Sequence, residues 1–109
     1  MSQPLQEFDL ITLLAILHLG DEVYGVPLCR ELARLLNRDV ATASVYKTLE
    51  QLERRGLIVS TLGAATPQRG GRAKRYFRVT KAGLQAIHNT RELLTELWRD
   101  VPVMARGTA

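Results

Sequence analysis

What is scarce in this chain narrows its possibilities first. It holds one cysteine, Cys29, so no disulfide can form within it; that fits a reducing cytosol and makes a cytoplasmic location the expectation. Its two histidines, His18 and His88, lie far from Cys29 and from each other with no ligand spacing, so neither a metal centre nor another cofactor is expected. Ser44 lacks His and Asp partners in any recognisable order, and no Gly-rich phosphate loop follows a strand. The chain is therefore not read as an enzyme. Its longest apolar run, "LITLLAILHLG" at 10 to 20, falls short of the ~20 residues that span a bilayer. The opening "MSQPLQEFD" has no basic stretch and carries Glu7 and Asp9, so no signal peptide is expected. Finally, acid is missing altogether from residues 54 to 91.

That last absence is the informative one. The 109 residues, enough for one domain plus at most one further element, carry a net charge of +4. Residues 1 to 53 hold eight acids and four bases, whereas residues 54 to 91 hold nine bases and no acid. One block thus carries the positive field, and such asymmetry points to a polyanion, most simply nucleic acid.

The apolar periodicity orders the elements. "EFDLITLLAILHL" (7 to 19) is apolar almost all round and reads as a central core helix, ended by Gly20 and Asp21. "VYGVPLCRELARLLN" (23 to 37) restarts a helix with Pro27 in its first turn, Leu28, Leu32, Leu35 and Leu36 as its stripe and Asn37 to close it. A third helix follows, with Thr42 or Ser44 as its cap, Val45, Leu49 and Leu52 inward, and Gly56 suited to a left-handed terminus. The period then changes. "LIVSTL" (57 to 62) and "KRYFRV" (74 to 79) read as two strands of a hairpin with a long basic tip. Thr80 caps a last helix, about residues 81 to 100, which Pro102 stops.

Three helices, a hairpin and a helix make a mainly α chain with a small β-hairpin: a winged helix-turn-helix unit (1–80) and a C-terminal dimerisation helix and tail (81–109). The outer face of the third helix offers Ser44, Tyr46, Lys47, Thr48, Gln51 and Arg54 to duplex DNA, where such side chains reach base edges in the major groove. The wing adds Arg69, Arg72, Lys74 and Arg75 to hold phosphates or enter the minor groove. Tyr46 is read either as a core-edge aromatic or as a phosphate contact through its hydroxyl. On the last helix Leu84, Ile87, Leu94, Leu97 and Trp98 form an apolar stripe, broken by Arg91, that suits a homodimer interface. The lone tryptophan, Trp98, lies late in that stripe, where two copies could leave a slot for a planar apolar effector.

"YG" (24, 25), "ASVYKTLEQLERRGLI" (43 to 58) and "GGRAKRYFRVTKAG" (70 to 83) together resemble the PadR family of transcriptional regulators, over about residues 8 to 90. The last segment is the most specific, with Gly71, Arg72, Lys74, Arg75, Tyr76, Thr80 and Gly83 in the family's order and spacing. The sequence departs from the pattern at Val45, where Leu is usual, and at Lys47, where Pro is common. The resemblance implies a dimeric winged helix repressor, with the helix containing Tyr46 in the groove and the wing containing Arg72 on the backbone. It also implies that a flat aromatic effector could bind at the dimer interface and release the DNA. "SVYKTLEQLERRGLI" is similar as well to the ferric uptake regulators, but the metal-binding clusters those proteins need are missing. The alternative from another class is a winged helix used as a protein interaction module, its basic wing docking an acidic partner.

Overall fold

The computed structural model describes residues 4–20, 23–63 and 74–104. The order is α1 (Glu7–Leu19), β1 (Val23–Tyr24), α2 (Gly25–Leu36), α3 (Thr42–Arg54), β2 (Ile58–Leu62), β3 (Arg75–Val79) and α4 (Lys81–Trp98). The hairpin is real but incomplete as an account of the sheet, which has three antiparallel strands in the order β1-β3-β2. Ile58 faces Val79 and Leu62 faces Arg75 across β2–β3, while Val23 faces Phe77 across β1–β3. Two residues are too few to show a period of two, so β1 escapes sequence reading and exists because β3 supplies its partner.

The core is one cluster. Leu13, Ala15 and Ile16 of α1 meet Leu28 and Leu32 of α2, Val45, Leu49 and Leu52 of α3, and Val23, Ile58, Phe77 and Val79 of the sheet. Alternation along β3 sends Phe77 and Val79 inward and leaves Arg78 in solvent. Cys29 packs at the margin of the cluster, and burial raises its thiol pKa against the opposing hydrogen bond from Thr42.

The helix α1 is not covered all round, as its composition suggested. Its inner face is buried, but Leu14 and Leu17 are each 44% exposed. Together with Leu10, which is half-buried at the margin of the core, these residues recur at i, i+4 and i+7 as an apolar stripe. On the buried side, the Thr12 hydroxyl has no hydrogen-bond partner among the described residues. Thr12→Val, which swaps that hydroxyl for a methyl of similar shape, is expected to stabilise the fold by about 1 kcal/mol, read as a higher urea midpoint. An unchanged or lower midpoint would show that the hydroxyl is satisfied.

Helix ends fix the joints. Both Asn37, at φ 51°, and Gly56, at φ 74°, are left-handed. After α3 the Gly56 N–H donates to the Glu53 carbonyl at 3.0 Å, and the Leu57 N–H to the Leu52 carbonyl at 3.0 Å. This double bond pattern ends the helix and buries Leu57 on Leu52. The start of α3 differs from expectation: Ala41 occupies the cap and makes no side-chain bond. Thr42 and Ser44 fall inside the first turn, too late to cap it. Thr80 does cap α4, its hydroxyl accepting from the Gly83 N–H at 3.0 Å. That helix ends at Trp98, four residues before Pro102, in a turn closed by the Val101 N–H on the Trp98 carbonyl.

Ion pairs tie α1 to its neighbours. Arg55 Nη1 lies 3.7 Å from Asp9 Oδ2. The shielded Glu31 carboxylate accepts from Arg34 Nε at 2.7 Å and faces His18 Nε2 at 3.6 Å. The Arg34 hydrogen bond holds the Glu31 carboxyl below its ordinary pKa. No described helix is long and apolar enough to cross a membrane.

Candidate nucleic-acid interface

With Val45, Leu49 and Leu52 turned inward, helical geometry sends Ser44, Lys47, Glu50, Gln51 and Arg54 outward, and all five are exposed. Thr48 sits at the half-buried edge. This face is not uniformly basic. Glu50 accepts from Arg54 Nη2 at 2.6 Å, which spends the arginine on an acid of its own helix. Ser44, Lys47 and Thr48 precede that pair, so the N-terminal half of α3 is the half fit to meet a polyanion.

Tyr46 occupies a different sector. Its hydroxyl lies against Gly25, at the first position of α2, and a Cβ on that glycine would overlap it, with Tyr46 Cζ at 2.6 Å. The tyrosine thus spans from α3 to the start of α2, and the "YG" pair at 24 and 25 has a steric reason. Gly25→Ala is expected to push Tyr46 out and to lower DNA affinity by about tenfold, while Tyr46→Ala added to it restores folding stability. A double-mutant cycle in denaturant checks this, and additive effects would show that the two residues do not meet.

The wing base is engaged as well. Arg75 Nη1 donates to Ser60 Oγ at 2.8 Å, and Ser60 in turn donates to Glu53 Oε2 at 2.7 Å. This relay runs from β3 through β2 to the C-terminal half of α3 and orients the exposed Arg75 through one of its nitrogens. Lys74 Nζ stands 3.7 Å above the Tyr24 ring. Tyr24 meets Tyr76 edge to face, at 5.8 Å between centroids. Tyr76 therefore braces the wing against β1. Arg69 and Arg72 lie outside the described residues. Sequence reasoning missed Tyr24, Ser60 and Glu53, because a platform and a relay are made by residues far apart in the chain.

A second surface runs along α4. Leu94 is 38% exposed, Leu97 62% and Trp98 66%; Leu84 is also exposed, whereas Ile87 packs into the core of the single chain. A groove of about 470 Å³ between α1 and α4 is lined by Leu10, Leu14, Ile87, Leu94 and Trp98, with Arg91 and Arg99 among its polar walls. Glu96 pairs with Arg99 at 2.9 Å. Among the described residues no group of three or more His, Cys, Asp or Glu converges on a metal-sized site.

Comparison with known proteins places this geometry. The model of the transcriptional regulator PadR-like family matches residues 13–89. The transcriptional regulator Rv3488 of Mycobacterium tuberculosis is 41% identical over 90 residues, which cover 81% of this chain and 79% of that protein. Among solved structures, a PadR-like transcriptional regulator from Bacillus cereus superposes with a TM-score of 0.66 at 24% identity, covering 83% of this chain and 82% of the other. A transcriptional regulator from Clostridium thermocellum gives 0.68 at 22% identity, over 84% and 85%. The structural likenesses establish the winged helix fold.

Proposed function

The chain belongs to the PadR-like family of transcriptional regulators, and from that premise we propose that this DNA-binding regulator acts as a homodimeric repressor released by a small planar aromatic effector. In this reading residues 1–80 hold the DNA and residues 81–109 pair the two copies. The N-terminal half of α3, with Ser44, Lys47 and Thr48, reads base edges, and Gln51 extends that reading by one turn. The wing positions the protein through Lys74 and through Arg69 and Arg72. Arg54, already paired with Glu50, adds little contact or field, whereas Arg75, tethered by one nitrogen to the neutral Ser60 hydroxyl, joins the wing cations. The observation that carries the proposal is the exposed polar face of α3 standing beside a wing that belongs to an acid-free block of nine bases.

The dimer rests on the apolar residues of α1 and α4 that flank one groove, of which Leu14, Leu94 and Trp98 are exposed while Leu10 and Ile87 also touch the core. Exposed Leu14, Leu94, Leu97 and Trp98 form a patch that a lone soluble chain rarely leaves bare. A two-fold pairing there would set two α3 helices about 34 Å apart, matching half-sites one DNA turn apart.

DNA fragments selected from a random pool by the purified protein test the reading, and an inverted repeat is the expected outcome. On the selected site, Lys74→Ala should weaken all sequences about equally, since phosphate contacts position without reading. Lys47→Ala should change the preferred bases and shift affinity between sequences by roughly 1–3 kcal/mol. No enrichment, or a lysine at 74 that alters preference while the one at 47 does not, overturns the assignment.

A further inference from the structure

We propose that Gly83 sets the angle between α4 and the recognition helix α3, and through it the half-site spacing that the dimer accepts. The inference rests on the dimeric reading above and names a specificity-determining position within it. Glycine is among the poorest helix formers, yet Gly83 sits in the first turn of α4. It is not there for its backbone freedom, because the described glycines with positive φ are Gly20 and Gly56 alone. It is there for space. A Cβ at Gly83 would run into the Leu57 carbonyl oxygen, with Val79 Cγ1 at 2.7 Å and the Leu57 carbonyl carbon at 3.1 Å.

That carbonyl cannot retreat. The Leu57 oxygen accepts the Thr80 N–H at 3.0 Å, while the Leu57 N–H closes the end of α3 on Leu52. Thr80 Oγ1 donates to the Gly56 carbonyl at 2.7 Å and accepts from the Gly83 N–H at 3.0 Å. The next residue, Ile58, is paired with Val79 in the sheet. The end of α3, the start of β2, the end of β3 and the start of α4 are thus fastened at one node, with Leu57, Val79 and Gly83 on its buried side. If the node is overfilled, the part that moves is α4, whose far half has few contacts with the rest of the chain: residues 91–98 are all exposed. Trp98 lies about 22 Å along the helix from Gly83, so a tilt of about 5° at the node carries it by about 2 Å. In a dimer paired through α4, that displacement changes the distance and angle between the two α3 helices while leaving each α3 and its wing as they were.

The test uses the full chain and the half-site recovered from selected DNA. Affinities are measured on duplexes carrying one half-site, and on duplexes carrying two at every spacing across one turn of about 10 base pairs. The wild type is expected to prefer one spacing. Gly83→Ala should bind the single half-site within about twofold of the wild type, but lose about tenfold or more at the preferred spacing, because simultaneous engagement is what the geometry controls. Its optimum should move or vanish. Thr80→Val removes the hydroxyl bonds without filling the node, and should broaden the spacing preference without moving its optimum. Circular dichroism establishes that each variant folds; if Gly83→Ala does not, the broadening by Thr80→Val decides alone. A Gly83→Ala profile that keeps the wild-type optimum, equal losses on single and paired half-sites, or a Thr80→Val profile as sharp as the wild type each overturns the inference. A wild type that accepts every spacing equally removes the dimeric reading beneath it as well.

Discussion

Raising the monovalent salt from about 50 to about 200 mM is expected to cost this protein roughly four decades of DNA affinity. The expectation starts from the block between residues 54 and 91, with nine bases and no acid. The structure divides those charges. Lys74 and Arg75 stand at the base of the wing, and Arg69 and Arg72 belong to the same wing in sequence. Counting these four for each subunit gives about eight phosphate contacts per dimer, hence a log–log slope of about −7. Arg54 is excluded because Glu50 holds it at 2.6 Å in an exposed pair. Such a pair is worth little to stability but cancels the field the arginine would send to a phosphate. Arg54→Ala is accordingly expected to leave the slope within about one unit of its value, whereas Lys74→Ala should flatten it by about two, one contact in each subunit. Titration of duplex DNA across salt concentrations measures both. A flat response in the wild type would sink the electrostatic reading, and it is also the result that a protein-docking wing would give.

Removal of residues 90–109 is expected to convert the dimer into a monomer that holds a single half-site weakly. The deletion takes away Leu94 and Trp98, which line the α1–α4 groove, and the exposed Leu97, but leaves the core almost untouched, because Ile87 and Gly83 are the buried residues of α4 and both remain. The winged unit should therefore keep its fold, seen as an unchanged helical signature per residue, while losing its partner. Loss of the second contact point removes the gain of linked binding, on the order of 10²-fold or more in affinity for the paired site. Sedimentation of the truncated chain reads the first effect and titration of paired and single half-sites reads the second. A truncated chain that remains a dimer of unchanged affinity places the interface elsewhere, most directly on the Leu10, Leu14 and Leu17 stripe of α1. Quenching of Trp98 fluorescence by planar aromatic compounds in the intact chain tests the effector slot separately, and its absence leaves Trp98 as packing alone.

Much of this protein was legible before any coordinates. The apolar period of 3.6 placed α1 at its observed bounds and α2, α3 and α4 within about three residues of theirs. Thr80, Asn37 and Gly56 marked helix ends correctly because capping is local: the groups that bond lie within a few residues of one another. The charge block and the polar face of α3 needed only the residue order and the helical angle. What escaped was whatever depends on distant segments meeting. The strand Val23–Tyr24 exists through β3, more than fifty residues later. The exposed half of α1 could not be inferred from a helix that is apolar on all sides, since only packing decides which side is covered. The same holds for the small residues. The sequence displayed Gly25 and Gly83 as two glycines near helix starts, with nothing to separate them. Tertiary structure alone set the Tyr46 hydroxyl against one and the Leu57 carbonyl against the other, because a missing Cβ has meaning only where another chain segment comes to fill the space.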